Sequence, residues 1–213
     1  MNLAGTSEEI LRVLQEKHLE VDWILEAAQG MVPWGKKQIL PYQAAALYSL
    51  VRPYNCSTKR ILEIGTYYGY STAVIALGAP AAAIITLNPL EWEVVSATHN
   101  LRSLRNVSFV QTRSWEYLER DSSTWDLIFV DADHERIHRD LPWFNHLSVG
   151  GLILFHDYAP PEATYKPCRT VYNAIQGMVR DLQRDLDVLV VDDRLFGMAG
   201  FYRREGEILP VGG

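Results

Sequence analysis

The segment from Glu63 to Thr72, Glu-Ile-Gly-Thr-Tyr-Tyr-Gly-Tyr-Ser-Thr, constrains this chain more than any other. A short run, Arg60 to Leu62, leads into an acid, then a glycine turn, then a helix-forming stretch. This is the build of a nucleotide-binding strand, turn and helix. Gly65 and Gly69 allow a backbone to approach a ligand with no Cβ between them, and the helix aims its first N–H groups at an anion. The order is Glu-x-Gly-x-x-x-Gly, with the carboxylate ahead of the glycines. It suits a ligand carrying positive charge and hydroxyls better than a pyrophosphate.

The rest of the chain alternates in a way that fits such a unit. Strand-like runs fall at 60–64, 83–87, 107–110, 127–130 and 152–155, separated by helical stretches near 71–77, 91–103, 114–119 and 135–147. Several runs are continuously apolar, as expected when helices cover both faces of a parallel sheet. A last helix near 170–184 precedes two runs, 187–191 and 197–203, joined by Asp192 to Leu195, a connection short enough for an antiparallel hairpin. Apolar positions Ile10, Leu14, Val21, Ile24, Leu25 and Ala28 predict an amphipathic helix over 8–28, with Ser7 as its cap and Gly30 past its end. A loop with Pro33, Trp34 and Gly35 follows, then a helix over 41–51. These helices are expected to pack as a cap over the carboxyl edge, giving residues 1–57 as a helical cap and 58–213 as the ligand-binding part of one structural unit.

Bulk properties narrow the partners. The 213 residues suffice for one α/β domain with an elaboration. A net charge of −6 argues against nucleic acid as a main partner, because phosphate contacts need clustered Lys and Arg. No apolar run reaches the roughly 18 residues of a membrane helix, and the first residues lack a basic and apolar signal sequence. Two cysteines, Cys56 and Cys168, without metal-like spacing, lead to the expectation of a reducing cytoplasm.

The Glu63–Ser71 stretch, with Phe129-Val-Asp-Ala-Asp-His134 and Leu154-Phe-His-Asp-Tyr158 later on, resembles the class I S-adenosylmethionine-dependent methyltransferases. Within them the chain is similar to small-molecule O-methyltransferases of the catechol and antibiotic-sugar kinds, over about residues 58–158 and more weakly to 204. The resemblance implies a Rossmann-like, doubly wound, mostly parallel seven-stranded sheet with a C-terminal antiparallel hairpin strand and an N-terminal helical cap. It implies that Gly65, Tyr67 and Gly69 lie along the methionine part of the cofactor, that Ser71 binds its carboxylate, and that Glu63 organises its amino end. Ser114 would touch the adenine edge with Trp115 as an apolar wall, and Asp131 would close the site. One departure stands out: the second strand of the pattern ends in an acid for the ribose hydroxyls, and this chain has Asn88 there. Asn88 accepts a hydrogen bond without charge assistance, unless Glu91 reaches back.

Transfer from a sulfonium needs an aligned nucleophile and, for a hydroxyl, removal of its proton. Asp131 and Asp157 end neighbouring strands and would hold Mg²⁺ or another divalent cation that acidifies the acceptor. The family pattern has an amide ligand after the second acid; here Tyr158 follows and His156 precedes it, neither a good ligand for a hard ion. His134, three residues after Asp131, is the expected base, with His156 the alternative and a surface-loop histidine the plain reading of either. Trp34, Tyr42, Tyr67, Tyr68 and Tyr158 are candidate acceptor walls, the 159–167 loop a candidate lid, and Arg169 a partner for an acidic acceptor or for Asp157. The expectation is O-methylation of a small-molecule hydroxyl by a chain that forms a homodimer. A nitrogen or protein acceptor, or a non-catalytic binding protein on the same fold, stays open.

Overall fold

The computed structural model describes residues 1–32, 39–159, 166–192 and 196–210. Eight strands form one sheet: β1 (Asn2–Gly5), β2 (Arg60–Ile64), β3 (Ala83–Asn88), β4 (Val107–Gln111), β5 (Trp125–Val130), β6 (Leu147–Tyr158), β7 (Val188–Asp192) and β8 (Gly197–Tyr202). The helices are α1 (Ser7–Lys17), α2 (Val21–Met31), α3 (Pro41–Val51), α4 (Tyr70–Gly78), α5 (Glu91–Asn100), α6 (Ser114–Leu118) and α7 (Lys166–Leu182). Strand order is β1-β7-β8-β6-β5-β2-β3-β4, and only β8 runs against its neighbours. The sheet is thus mostly parallel with a C-terminal antiparallel hairpin strand, as the sequence predicts.

The strand count is eight rather than seven. The extra strand, β1, joins the edge parallel to β7, with Asn2 opposite Leu189 and Gly5 opposite Asp192. Four residues are too few to show a period-two pattern, so only the partner strand reveals it. The expected helix over 8–28 is also divided. Thr6, not Ser7, caps α1, its side chain meeting the Glu9 amide while the Glu9 carboxylate accepts from the Thr6 amide. The chain breaks at His18, and Gly30 falls inside α2. Residues 134–146 form two 3₁₀ segments, His134–Arg139 and Leu141–His146, instead of one helix; Arg136 leaves helical geometry and Pro142 starts the second.

Helices α1 to α4 cover one face of the sheet, where Leu14, Ile24, Leu47 and Val74 share a core with Ile61, Phe129 and Leu154. Helix α7 and the 3₁₀ segments cover the other, where Val171, Ile175, Met178 and Trp143 meet Leu62, Ile128 and Ile153. Burial on both faces explains why the central strands are apolar throughout. The first turn of α3 reaches the carboxyl edge, where Gln43 donates to the Phe196 carbonyl.

Sequence order reverses between β2 and β5, which is where a sheet of this kind opens a crevice for ligands. Gly65 sits there with φ +106, its N–H on the Leu87 carbonyl, while the Asp131 N–H bonds the Ile64 carbonyl. A Cβ on Gly65 would lie 1.9 Å from the Asp131 carbonyl oxygen. The glycine is therefore required by the protein's own backbone before any ligand arrives. Gly65→Ala should destabilise the fold by about 2–3 kcal/mol or more, since left-handed strain alone reaches that size. A chemical-denaturation midpoint unchanged from the parent would refute this account.

Candidate active site

The carboxyl ends of β2, β3, β5 and β6 open onto a cavity of about 880 Å³, within the size range of small-molecule sites. Gly65, Tyr67, Ser71, Asn88, Ser114, Trp115, Asp131, His134, His156 and Asp157 all line it. Of the residues singled out from sequence as site residues, Glu63 and Gly69 stand behind the wall. Gly69 is the left-handed N-cap of α4, where a Cβ would press on the Leu101 side chain at 2.7 Å.

Glu63 is fully buried. Ser71 donates to one carboxylate oxygen at 2.6 Å, while Thr72 and Thr86 donate to the other at 2.5 and 2.7 Å. The Ser71 hydroxyl thus donates to the protein's own acid, on a residue that also lines the cavity. Burial pushes Glu63 up to about 7, against the pull of its three hydroxyl donors.

Two acids that sequence reasoning passed over complete the walls. Asn88 Nδ2 donates to Glu93 Oε2 at 2.7 Å, and both line the cavity. The first turn of α5 thus brings the Glu93 carboxylate to the end of β3, where the strand itself ends in Asn88, while Glu91 is not among the lining residues. A spacing of five residues across a strand end gave no signal. On the far side Ser114 Oγ donates to the buried Asp140, which burial pushes up to about 6. Trp115 lies under Arg139, with the guanidinium 4.7 Å from the ring centroid. At the mouth, Tyr67 and Tyr68 meet edge to face at 4.4 Å, with Trp92 beyond.

The densest chemistry joins the ends of β5 and β6. His134 Nε2 lies 2.8 Å from Asp157 Oδ2 and 3.9 Å from Asp131 Oδ1. His156 Nδ1 lies 3.0 Å from Asp131 Oδ1 and 3.2 Å from Asp157 Oδ1. Burial opposes a charge on either histidine, yet the carboxylates outweigh it. His134 is raised above its ordinary value, chiefly by Asp157 once burial is set aside; His156 is pushed up to about 9, chiefly by Asp131. Burial would raise Asp157, but the two histidines hold it below the usual carboxylate range.

Other candidates fall elsewhere. Tyr42 is buried with its hydroxyl on the Phe196 carbonyl. The Tyr158 hydroxyl accepts from Gln176 and its ring packs on Tyr172 at 5.3 Å, within the core on the α7 side. Neither lines the cavity. Arg169 is exposed on α7. Trp34, residues 160–165 of the 159–167 loop expected as a lid, and residues 193–195 of the hairpin connection lie outside the described residues. Among the described residues, no helix is long and apolar enough to cross a membrane.

Comparison with known proteins agrees with this geometry. A family model described as a methyltransferase domain matches residues 62–158. A catechol O-methyltransferase of Niastella koreensis is 27% identical over 202 residues, 90% of each chain. A protein-L-isoaspartate O-methyltransferase of Idiomarina loihiensis is 30% identical over 160 residues, 71% of this chain and 72% of that one. Among solved structures, the SAH-bound methyltransferase PaMTH1 of Podospora anserina superposes with a TM-score of 0.71 at 19% identity, covering 93% of this chain and 95% of its own. The chain belongs to the class I S-adenosylmethionine-dependent O-methyltransferases. It is accordingly an enzyme of the transferase class.

Glu63 gives a pH test of the wall. Its folded pKa, about 7, stands above the 4.5 of a free side chain, so the native state holds the proton more tightly. Its stabilising contribution is complete below 4.5 and is lost as pH rises through about 7. Urea midpoints of the parent should fall relative to those of Glu63→Gln between pH 5 and 8. A gap between the two that stays constant over that range would contradict the assignment.

Proposed function

We propose that the cavity binds S-adenosylmethionine and that the enzyme passes its methyl group to a hydroxyl oxygen of a small molecule. The observation that carries this reading is the His134–Asp157 pair, placed at the carboxyl edge of the cavity beside Asp131. When bound, the cofactor supplies a methyl group on a sulfonium, with a neutral thioether as leaving group.

The protein's share is binding, orientation and the movement of one proton. The Gly65–Tyr67 turn lies along the methionine portion, and the α4 N-terminus receives the carboxylate through its N–H groups and dipole. Glu93, steadied by Asn88, accepts from the ribose hydroxyls. Ser114 and Asp140 supply the polar edge for adenine, with Trp115 as its apolar wall. His134 takes the acceptor proton, since the Asp157 carboxylate both aims the ring and raises its basicity. His156 is less suited to that task because both of its nitrogens already face protein acceptors. The cavity size and aromatic mouth fit a small acceptor. A divalent cation between Asp131 and Asp157 would lower the pKa of the acceptor hydroxyl.

Calorimetry with S-adenosylmethionine or S-adenosylhomocysteine should show one site per chain, and absence of binding at millimolar levels sinks the proposal. His134→Ala should lower kcat by about 10²–10⁴-fold, the usual worth of a general base, with cofactor affinity retained. Near-parental turnover in that variant would point to a nitrogen acceptor instead. Glu93→Ala should weaken binding of the cofactor product by about tenfold or more, the value of one charge-assisted hydrogen bond; unchanged affinity would remove Glu93 from the ribose site.

A further inference from the structure

Strand β6 does something at its end that no regular strand can. Successive side chains of a strand point to opposite faces, yet His156 and Asp157 both line the cavity. The pairing with β8 explains it: His156 faces Met198 and Tyr158 faces Gly197, leaving Asp157 as an unpaired bulge residue at φ +57. Left-handed backbone is costly for a residue with a Cβ, and such strain collects at functional sites. Here it brings an imidazole and a carboxylate side by side, with Asp131 opposite. Strand pairing delivers both residues to the edge, but the orientation of the His156 ring is set from outside the sheet.

The contact that sets it comes from α3. Gln43 is fully buried in the first turn of that helix and is not among the residues lining the cavity. Its Oε1 accepts the Leu40 N–H at 2.7 Å and stands 3.1 Å from His156 Nε2. Its Nε2 donates to the Phe196 carbonyl at 3.0 Å and to the Tyr42 hydroxyl oxygen at 3.3 Å. The two backbone partners, one a donor and one an acceptor, admit a single orientation of the amide, so the oxygen is the end that faces His156. His156 Nε2 therefore carries a proton and donates it there. Both lone pairs of the oxygen and both amide protons are then engaged, which is the full capacity of the group. A glutamine that only capped α3 would need the Leu40 contact alone and could stand in water. This one is shut away from solvent, where an amide is tolerated because every partner is met.

With Nε2 committed to Gln43, the other ring nitrogen has one direction left. Nδ1 lies 3.0 Å from Asp131 Oδ1 and 3.2 Å from Asp157 Oδ1, so the ring is wedged between the two carboxylates. The Phe196 carbonyl is held by both Gln43 and Tyr42, and the Phe196 ring meets the imidazole edge to face at 5.8 Å. Asp157 turns its second oxygen, Oδ2, to His134 at 2.8 Å. We infer that Gln43 is a positioning residue for proton removal by His134: it stands behind the cavity wall and sets the pitch of Asp157 through the His156 ring. The chain runs from the helical cap through Gln43, His156 and Asp157 to His134, in contacts of 3.1, 3.2 and 2.8 Å. The cap thereby takes a part in the chemistry beyond covering the sheet. Loosening its first link disturbs the base while the Gly65 turn and Glu93, on the far wall, keep their places.

The effect on rate rests on the methyl-transfer reading, in which His134 is the base, but the hold on His156 is measured without methyl donor or acceptor. In protein with isotope-labelled histidine, the proton on His156 Nε2 should give a downfield magnetic resonance, assigned by its loss in His156→Asn. Gln43→Met keeps the length of the side chain and removes its hydrogen bonds, and in that variant the resonance should move upfield. Its kcat should fall by about 10- to 100-fold, the size of effect expected when a catalytic group is slightly misplaced. Its Kd for S-adenosylhomocysteine should stay within about twofold of the parent's, since ground-state binding is untouched. Gln43→Glu keeps an oxygen toward His156 and should restore the resonance and most of the turnover. Gln43→Asn, one methylene short, carries the test if Gln43→Met does not fold. Parental kcat in a folded variant, an unmoved resonance, or no recovery in Gln43→Glu overturns the inference and leaves Gln43 as a helix cap. A parent protein that binds no S-adenosylhomocysteine refutes the donor reading instead, and the resonance still decides whether Gln43 holds His156.

Discussion

A carboxylate shut away from water holds the donor side of this enzyme together. Glu63 lies near the end of β2, just before its last residue Ile64, and the hydroxyls of Ser71 and Thr72 in α4 and Thr86 in β3 converge on it. An acid without those donors would be expelled or neutral, and hydroxyls without the acid would leave the α4 N-terminus loosely placed. The turn between them is held from the other side, where Gly65 is pressed against the Asp131 carbonyl. The glycine motif thus reads less as a surface left bare for a ligand than as a joint between three strands and a helix.

From that joint the acceptor side follows. Because β2 and β5 are in register, with Ile64 opposite Val130, the turn at Gly65 and the acid at Asp131 come to one level of the sheet. Strand β6 is in register with β5 in turn, so His156 and Asp157 arrive just beyond Phe155, which faces Val130. The Gly65 turn, Asp131, His156 and Asp157 are thereby set at a common edge by strand pairing.

What the sequence made legible follows the same division. The motif from Glu63 to Ser71 and the ordered acids Asp131 and Asp157 are local signals, and the parallel order of the central strands follows from apolar runs with helical spacing. Features that depend on distant pairing stayed hidden. Strand β1 is four residues long and is a strand only because β7 lies beside it. The Glu93 carboxylate comes to the end of β3 only because α5 folds back on Asn88. The stretch 134–146 has a helical pattern but carries Pro142, and the chain resolved that conflict with two short turns. The Gln43 contact that fixes His156 spans 113 positions, beyond any periodicity.

The bulge in β6 has a consequence for how this enzyme can diverge. Its register is set by β8, whose Gly197 and Gly200 run so close to Val190 and Ile153 that neither has room for a side chain. The aim of Asp157 is therefore governed by residues near the far end of the chain, which are not among those lining the cavity. A sheet edge of this sort works as an adjusting screw. Small changes in the hairpin would rotate Asp157 against the Gly65 turn, altering one wall of the cavity while the other stays as it is.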